Sequence, residues 1–200
     1  MTGPRSAEGP FRRRRPYGAL GIPRVQASER SWIRDAQNGS AEAFEHLVRR
    51  HWRGAFHAAY LVVHDASAAE DIVQESLLAA IRSLDRFDRR RPFGPWLHRI
   101  VVNRAIDWAR VRAGRAEVGD DVLTLVPASA SPLADEPYSE PVVAALAALP
   151  PEQRAVIVLR HLLDYTPGEI GSLLDLPRGT VNSRLRRGLD ALALALAEER

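Results

Sequence analysis

Hydrogen-bond donors are concentrated in one short segment near the C-terminal end of the sequence, residues 178–187. At the spacing of a helix, Thr180, Ser183, Arg184 and Arg187 share its outer face. An arginine fork matches phosphate oxygens and the edge of guanine, so such donors can read bases and hold phosphates. The alternative interpretation is an ordinary helix with a solvated arginine face. The donors that flank the outer face are Arg178, Asn182 and Arg186.

The residues before this segment predict the structure that presents it. Thr166 and Glu169 form a capping box with Pro167 at the first helical position, so a helix begins there. A short turn at residues 175–177 ends this helix, and the donor-bearing helix follows from about Arg178. Two helices joined in this way form a helix-turn-helix, whose second helix enters the DNA major groove. The inward-facing residues of the second helix are Val181, Leu185, Leu189 and Leu192.

A second polar strip is predicted on a helix that begins near Pro95 and runs to about Arg112. The loop before it, residues 85–94, combines clustered arginines with aromatic rings and includes Arg86 and Phe87. Positive charge for phosphates and rings for bases suit the binding of single-stranded nucleic acid. The apolar arc of the helix consists of Leu97, Ile100, Val101, Ala105, Trp108 and Val111. The opposite strip consists of Arg99, Asn103, Asp107 and Arg110, with Trp96 beside it.

A third candidate surface lies on the predicted helix 70–84, next to its apolar stripe. This surface is acidic and amide-bearing with an exposed leucine, which suits docking on a partner; an ordinary solvated helix face is the alternative. The stripe predicted to face the core consists of Val73, Leu77, Ala80, Ile81 and Leu84. The candidate docking residues are Asp71, Gln74, Glu75 and Leu78, together with Arg82.

Catalytic and metal chemistry are not favoured by the sequence. His46, His51, His57 and His64 are spaced by five, six and seven residues, so they do not stack on one helix face. The chain contains no cysteine, which excludes disulfides, thiolate nucleophiles and cysteine-based zinc sites. We therefore expect no enzyme activity and no cofactor.

The composition predicts an all-α protein with two small helical domains. Residues 29–113 and 141–200 show helical periodicity, whereas residues 114–140 are rich in proline and glycine and are predicted to be a flexible linker. Residues 1–28 are predicted to be a disordered basic arm, either in contact with DNA or merely solvated. No run approaches the roughly 20 apolar residues of a membrane span, so we expect a cytoplasmic protein without membrane insertion.

In this order, the motifs resemble the sigma-70 family in its smallest form, the extracytoplasmic-function (ECF) sigma factors, which keep only regions 2 and 4. The resemblance covers about 150 of the 200 residues. Residues 69–75 are similar to region 2.2, residues 96–107 to region 2.4, residues 149–160 to region 4.1 and residues 179–185 to region 4.2.

The resemblance implies a role for each surface. Asp71, Gln74, Glu75 and Leu78 would bind the clamp helices of the largest subunit of core RNA polymerase. The second helix of the helix-turn-helix would read the promoter −35 element through Arg178, Thr180, Asn182, Ser183, Arg184, Arg186 and Arg187. The −10 element, with one base flipped into the loop, would be engaged by Arg86, Phe87, Trp96, Arg99, Asn103, Asp107 and Arg110.

The implied function is that of an alternative sigma factor, which leads the polymerase to a subset of promoters and helps to melt them. Members of the family are commonly stress-responsive and are held inactive by an anti-sigma factor, which is a further expected partner. The alternative function is a conventional helix-turn-helix repressor or activator, which would bind its DNA site without polymerase.

Four positions depart from the family pattern. Asn182 replaces a lysine. Gly171 replaces an alanine, which we interpret as the exchange of one small residue for another. Asp175 replaces the turn glycine, and aspartate tolerates the left-handed conformation better than most residues. Gly94-Pro95 replaces Arg-Ala before the tryptophan, so we expect an altered −10 loop.

Overall fold

The computed structural model describes residues 27–117 and 139–198, and every regular element in these two ranges is helical. This confirms the predicted all-α class. Residues 1–26 of the predicted arm and most of the predicted linker lie outside the described residues, whereas residues 27 and 28 belong to the first helix. The elements are α1 (Ala27–Gln37), α2 (Ala41–Val63), α3 (Ala66–Ser83), a 3₁₀ turn (Leu84–Arg86), α4 (Phe93–Glu117), α5 (Glu140–Ala147), α6 (Pro151–His161), α7 (Pro167–Leu174) and α8 (Arg178–Glu198).

The first module consists of α1 to α4, and side-chain caps define its helices. The Ser40 hydroxyl accepts a hydrogen bond of 3.2 Å from the Ala43 amide, which satisfies a donor at the start of α2. The helix ends at His64, which has a left-handed φ of 56°. Asp65 then caps α3 by accepting 3.0 Å from the Ala68 amide. The core between α2, α3 and α4 includes Leu47, Leu61, Val73, Leu97 and Val101.

The second module consists of α5 to α8 and contains the predicted helix-turn-helix. The predicted capping box is present, since the Thr166 hydroxyl accepts from the Glu169 amide and the Glu169 carboxylate accepts from the Thr166 amide. Asp175 ends α7 in the left-handed conformation with φ 53°. Gly171 is not a neutral exchange for alanine, because a Cβ there would lie 2.6 Å from the carbonyl oxygen of Leu176. The turn into α8 is therefore too tight for a side chain at this position.

The two modules pack against each other, which the sequence did not predict. Helices α2 and α4 of the first module contact α6 of the second, and their apolar residues form one continuous core. The buried side chain of Arg154 in α6 crosses this boundary. It donates to the carbonyl oxygen of Val62 in the first module, and to those of Ala147 and Leu149, both at 2.7 Å, in the second.

Some predicted boundaries and orientations were wrong. Helix α4 begins at Phe93 rather than near Pro95 and continues to Glu117, beyond residue 114 where the linker was expected to begin. Ile81 and Val111 were placed in apolar core stripes, but they are 47% and 56% exposed. No described element covers these two positions. Hydrophobic periodicity identifies the face of a helix but not how far its partner extends along it.

Candidate nucleic-acid and protein interfaces

The N-terminal half of α8 presents the donor-rich segment to solvent. Arg178, Asn182, Arg186 and Arg187 are exposed. The Ser183 hydroxyl donates 2.9 Å to the carbonyl of Thr180 within the helix, so that hydroxyl already has one acceptor. Of the sequence-predicted donors on α8, Thr180, Ser183 and Arg184 are half-buried. The capped turn before α8 fixes this face relative to α7, as a helix in the major groove requires.

The aromatic residues of the second candidate surface form a packed cluster rather than a row of exposed rings. Phe87 is 8% exposed, and its ring centroid lies 4.7 Å from that of Trp96. Phe93 lies 5.5 Å from Trp96 and 6.0 Å from Phe87. Trp96 is half-buried and Arg86 is exposed. Phe87 therefore supports Trp96 from the core side and offers little surface of its own to a ligand.

The polar strip of α4 faces the second module. Arg99 makes an ion pair of 2.5 Å with Asp175, and Arg110 one of 2.6 Å with Glu152. Between these ion pairs, a cavity of about 170 Å³ lies between α4 and the second module. It is lined by Asn103, Ile106, Asp107, Arg110, Glu152, Leu174, Leu176 and Arg184. The structure thus brings together residues that the sequence assigned to two different DNA elements.

The pKa of Glu152 is changed by the charged residues around this cavity. Partial burial alone would raise its pKa, but the hydrogen bond and charge of Arg110, a backbone hydrogen bond and the charge of Arg184 together hold the pKa below its ordinary value. Arginines of both candidate DNA-binding helices therefore interact with one carboxylate.

Three buried polar side chains hold the modules together, and sequence patterns gave no signal for them. His98 Nδ1 of α4 lies 2.8 Å from the hydroxyl of Tyr165 in the second module. Burial, followed by the charge of His51, lowers the pKa of His98 to about 3, so its ring is neutral. Burial also lowers the pKa of Arg154 to about 10. A charged or polar residue on an otherwise apolar arc gives no indication of which partner satisfies it.

The acidic surface of α3 is open to solvent. Asp71, Gln74, Glu75 and Leu78 are all exposed, and Leu78 shows 54% of its surface. The amide of Gln74 donates 3.2 Å to Glu70, so these residues form an ordered polar face. Asp71 and Glu75 also border a cavity of about 370 Å³ with Asp65 and Trp108. The structure brings these four sequence-predicted residues onto one continuous face.

The four histidines considered for metal chemistry are placed separately. His46 stacks on Trp32 with ring centroids 5.0 Å apart, whereas His64 ends α2. Within residues 27–117 and 139–198, no group of three or more histidine, acidic or cysteine side chains could hold a metal ion. In the same two ranges, no helix has the length and apolar character to cross a membrane.

Comparison with known proteins places both modules. Residues 47–115 match the family described as Sigma-70 region 2, and residues 139–192 match Sigma-70, region 4. The chain is 32% identical to the ECF RNA polymerase sigma factor SigW of Bacillus subtilis over 183 residues, which cover 83% of this chain and 95% of SigW.

Solved structures similar to this chain include CnrH and RpoE. CnrH, in complex with the cytosolic domain of CnrY, is 29% identical with a TM-score of 0.65, covering 86% of this chain and 99% of that one. RpoE from Bartonella quintana, in complex with the anti-sigma factor NepR, is 22% identical with a TM-score of 0.62. That alignment covers 80% of this chain and all of RpoE, and at this identity it supports the fold alone.

Regions 2 and 4 on one chain define the sigma-70 class. Within that class the chain belongs to the ECF sigma factors. It is an alternative sigma factor that directs transcription by RNA polymerase, and the repressor alternative is not favoured. The predicted family and function are thereby confirmed. Sigma factors as a class are not enzymes.

Proposed function

We propose that this sigma factor binds core RNA polymerase through the acidic face of α3 and contacts promoter DNA with both modules. Helix α8 reads the duplex −35 element, and α4 with the loop before it engages the melted −10 strand. Capture of one unstacked base offsets the few kcal/mol needed to unpair it, which promotes melting. The chain itself performs no covalent step, and it works in the cytoplasm, where the polymerase is.

One observation carries the −35 assignment. Four donors, Arg178, Asn182, Arg186 and Arg187, are exposed on α8 directly after a turn that is fixed by a capping box and by left-handed Asp175. A preorganised helix start with an exposed basic face is the geometry that enters a major groove. The acidic face of α3, on the other module, supports a separate protein partner.

Run-off transcription with purified core polymerase tests this proposal. The template is a library of promoter fragments from the source genome, and the RNA start sites are sequenced. We expect new start sites that share a −35 and a −10 sequence and that depend on added sigma factor. Binding of the chain alone to palindromic DNA, with no RNA started at any site, would support the repressor alternative instead.

Two arginine variants separate −35 reading from other roles. Arg187→Ala removes one exposed fork from α8, so we expect initiation at −35-dependent promoters to fall about tenfold, while core binding is unchanged. Arg49→Ala removes an arginine that is 75% exposed on α2 and serves as the control. An equal loss of activity in both variants, or a loss of core binding by Arg187→Ala, would contradict the assignment.

We further propose an anti-sigma factor as a regulatory partner. Its support is family membership together with the exposed apolar residues Leu78 and Ile81, which extend the acidic face of α3. A partner that covers this face would exclude polymerase. Affinity capture of the native protein from unstressed cells should recover such a partner, and its addition should inhibit run-off transcription.

A further inference from the structure

We propose that Glu29 and Gln37 of α1 are positioning residues that hold the loop between the 3₁₀ turn and α4 in the shape that accepts an unpaired −10 base. This inference rests on the −10 role proposed above for that loop. Neither residue belongs to the surfaces that the sequence identified, and neither reaches the exposed middle of the loop. They act on its two ends.

Gln37 fixes the start of the loop. Its side-chain amide donates 2.8 Å to the carbonyl oxygen of Leu84 and 2.9 Å to that of Phe87. These two carbonyls begin and follow the 3₁₀ turn, so one side chain, 47 and 50 residues earlier in the sequence, holds both ends of that turn. The bonds also fix Phe87, whose ring supports Trp96.

Glu29 fixes the end of the loop. Its side chain is 2% exposed, and its Oε1 accepts 3.3 Å from the backbone amide of Phe93, the first residue of α4. Arg50 lies 3.1 Å from the other carboxylate oxygen, and His51 lies 3.7 Å from Oε1. Burial alone would raise the pKa of Glu29, but His51, the Phe93 amide and Arg50 together lower it. The carboxylate is thus charged at a buried position, where removing a charge from water costs free energy.

The neighbouring glycine fits the same arrangement. A Cβ on Gly94 would lie 3.1 Å from the His51 ring, closer than ordinary contact. The absence of a side chain at Gly94 therefore lets the His51 ring, which lies against Glu29, pack closely on the start of α4. A side chain at this position would require the His51 ring to shift by a few tenths of an ångström.

Between these anchors, residues 88–91 are exposed, and their described hydrogen bonds lie within the loop itself. Asp88 Oδ1 accepts 2.9 Å from the amide of Arg90, and the Asp88 carbonyl accepts 2.9 Å from that of Arg91. The loop therefore has fixed ends and an exposed, arginine-rich middle, so its shape is set before DNA binds. Holding a binding loop in its bound shape beforehand lowers the free energy that binding must spend on ordering it.

The test compares Gln37→Leu with Ser40→Ala. Gln37→Leu keeps a side chain of similar size and removes both donors, whereas Ser40→Ala removes a cap of α2 and destabilises the same module without touching the loop. Each variant is assembled with core polymerase on a promoter in which −10 bases are replaced, one at a time, by an abasic site. Open-complex formation is followed by permanganate reactivity of the melted strand.

With wild-type protein, we expect one abasic position to reduce open-complex formation at least about tenfold, a typical effect for a captured base. Ser40→Ala should keep this sensitivity, and Gln37→Leu should reduce it to about twofold with core binding unchanged. Glu29→Gln, which keeps the shape of the side chain and removes its charge, should show the same loss and provides the test if Gln37→Leu fails to fold.

The possible failures are distinguishable. If no −10 position is sensitive with wild-type protein, the proposed capture of a base is wrong. If wild type is sensitive at one position and both Gln37→Leu and Glu29→Gln keep full sensitivity there, the −10 role stands and the positioning role is overturned. If Ser40→Ala loses sensitivity as much as Gln37→Leu does, general destabilisation explains the result and the positioning role is overturned.

Discussion

Two buried histidines make the stability of this protein depend on pH. Burial lowers the pKa of His98 to about 3, and burial with the charge of Arg154 lowers that of His64 to about 3. An unfolded histidine has a pKa near 6.5. Between these values the unfolded chain binds more protons than the folded chain, so acid favours unfolding.

We therefore expect the contribution of these two histidines to stability to be constant above about pH 6.5 and to fall as the pH approaches 3. At pH 5 the loss is about 2 kcal/mol for each of the two histidines. Urea unfolding at pH 7 and pH 5 measures it. In parallel, the ring protons of His98 should not titrate in NMR spectra between these two pH values, and a midpoint near 6.5 for His98 would contradict its burial as a neutral base.

Single residues also show where sequence interpretation stops. Phe87 was assigned to DNA contact, yet it is 8% exposed beneath Trp96. Composition identifies a basic and aromatic loop, but only packing decides which rings face inward. Likewise Glu29 and Arg154 are charged residues that the chain buries. One partner of each, Phe93 for Glu29 and Val62 for Arg154, is 64 or 92 positions away in the sequence. Local periodicity carries no information about contacts at such separations.

At the scale of elements, the signals of helix caps were the most dependable. The capping box at Thr166 and the left-handed Asp175 are local chemistry, and the structure contains both. Gly171 differs, because the reason for glycine lies across the turn at the carbonyl of Leu176. Sequence patterns do not show a close approach of this kind, because the turn brings the two residues together in space.

Gly171→Ala should therefore destabilise the second module by about 1–3 kcal/mol, since a Cβ there meets backbone at 2.6 Å and the turn must shift. Gly168→Ala is the matched control, because no atom lies within 4 Å of its Cβ. Thermal unfolding and binding to −35 duplex measure the effect. Equal stability of the two variants would mean that the turn is looser than described.

Helix α3 and helix α8 each expose a leucine, and this allows a matched test of the polymerase surface. Leu78 is 54% exposed beside the acidic residues of α3, and Leu194 is 64% exposed near the end of α8. Leu78→Arg should weaken core binding at least about tenfold, as substitution at the centre of an interface does. Leu194→Arg should leave it unchanged. The dissociation constant for core polymerase, with circular dichroism as a folding control, decides between these outcomes.

At the scale of the whole molecule, the sequence predicted the two modules but not their contact. Each module is defined by local periodicity, whereas the interface depends on isolated pairs such as His98 with Tyr165 and Arg110 with Glu152. The described arrangement turns the polar strip of α4 toward α7 and α8. Promoter DNA could not occupy that strip while the ion pairs are closed.

We therefore expect the modules to separate when core polymerase and promoter are bound. Because the chain has no cysteine, single cysteines can be introduced at exposed positions Arg49 and Asp190 for fluorescent labels, one in each module. Energy transfer between them should fall on assembly. A pair at Arg49 and Arg82, both in the first module, should not change, and an unchanged signal from the first pair would contradict separation.

The hydrogen bond between His98 and Tyr165 has an unexpected consequence for affinity. If only the separated form engages polymerase, the apparent dissociation constant rises with the ratio of packed to separated molecules. Every contact that favours the packed form increases that ratio. Tyr165→Phe removes one such contact, which is worth about 1 kcal/mol. The substituted protein should thus melt at a lower temperature and yet hold the polymerase about fivefold more tightly.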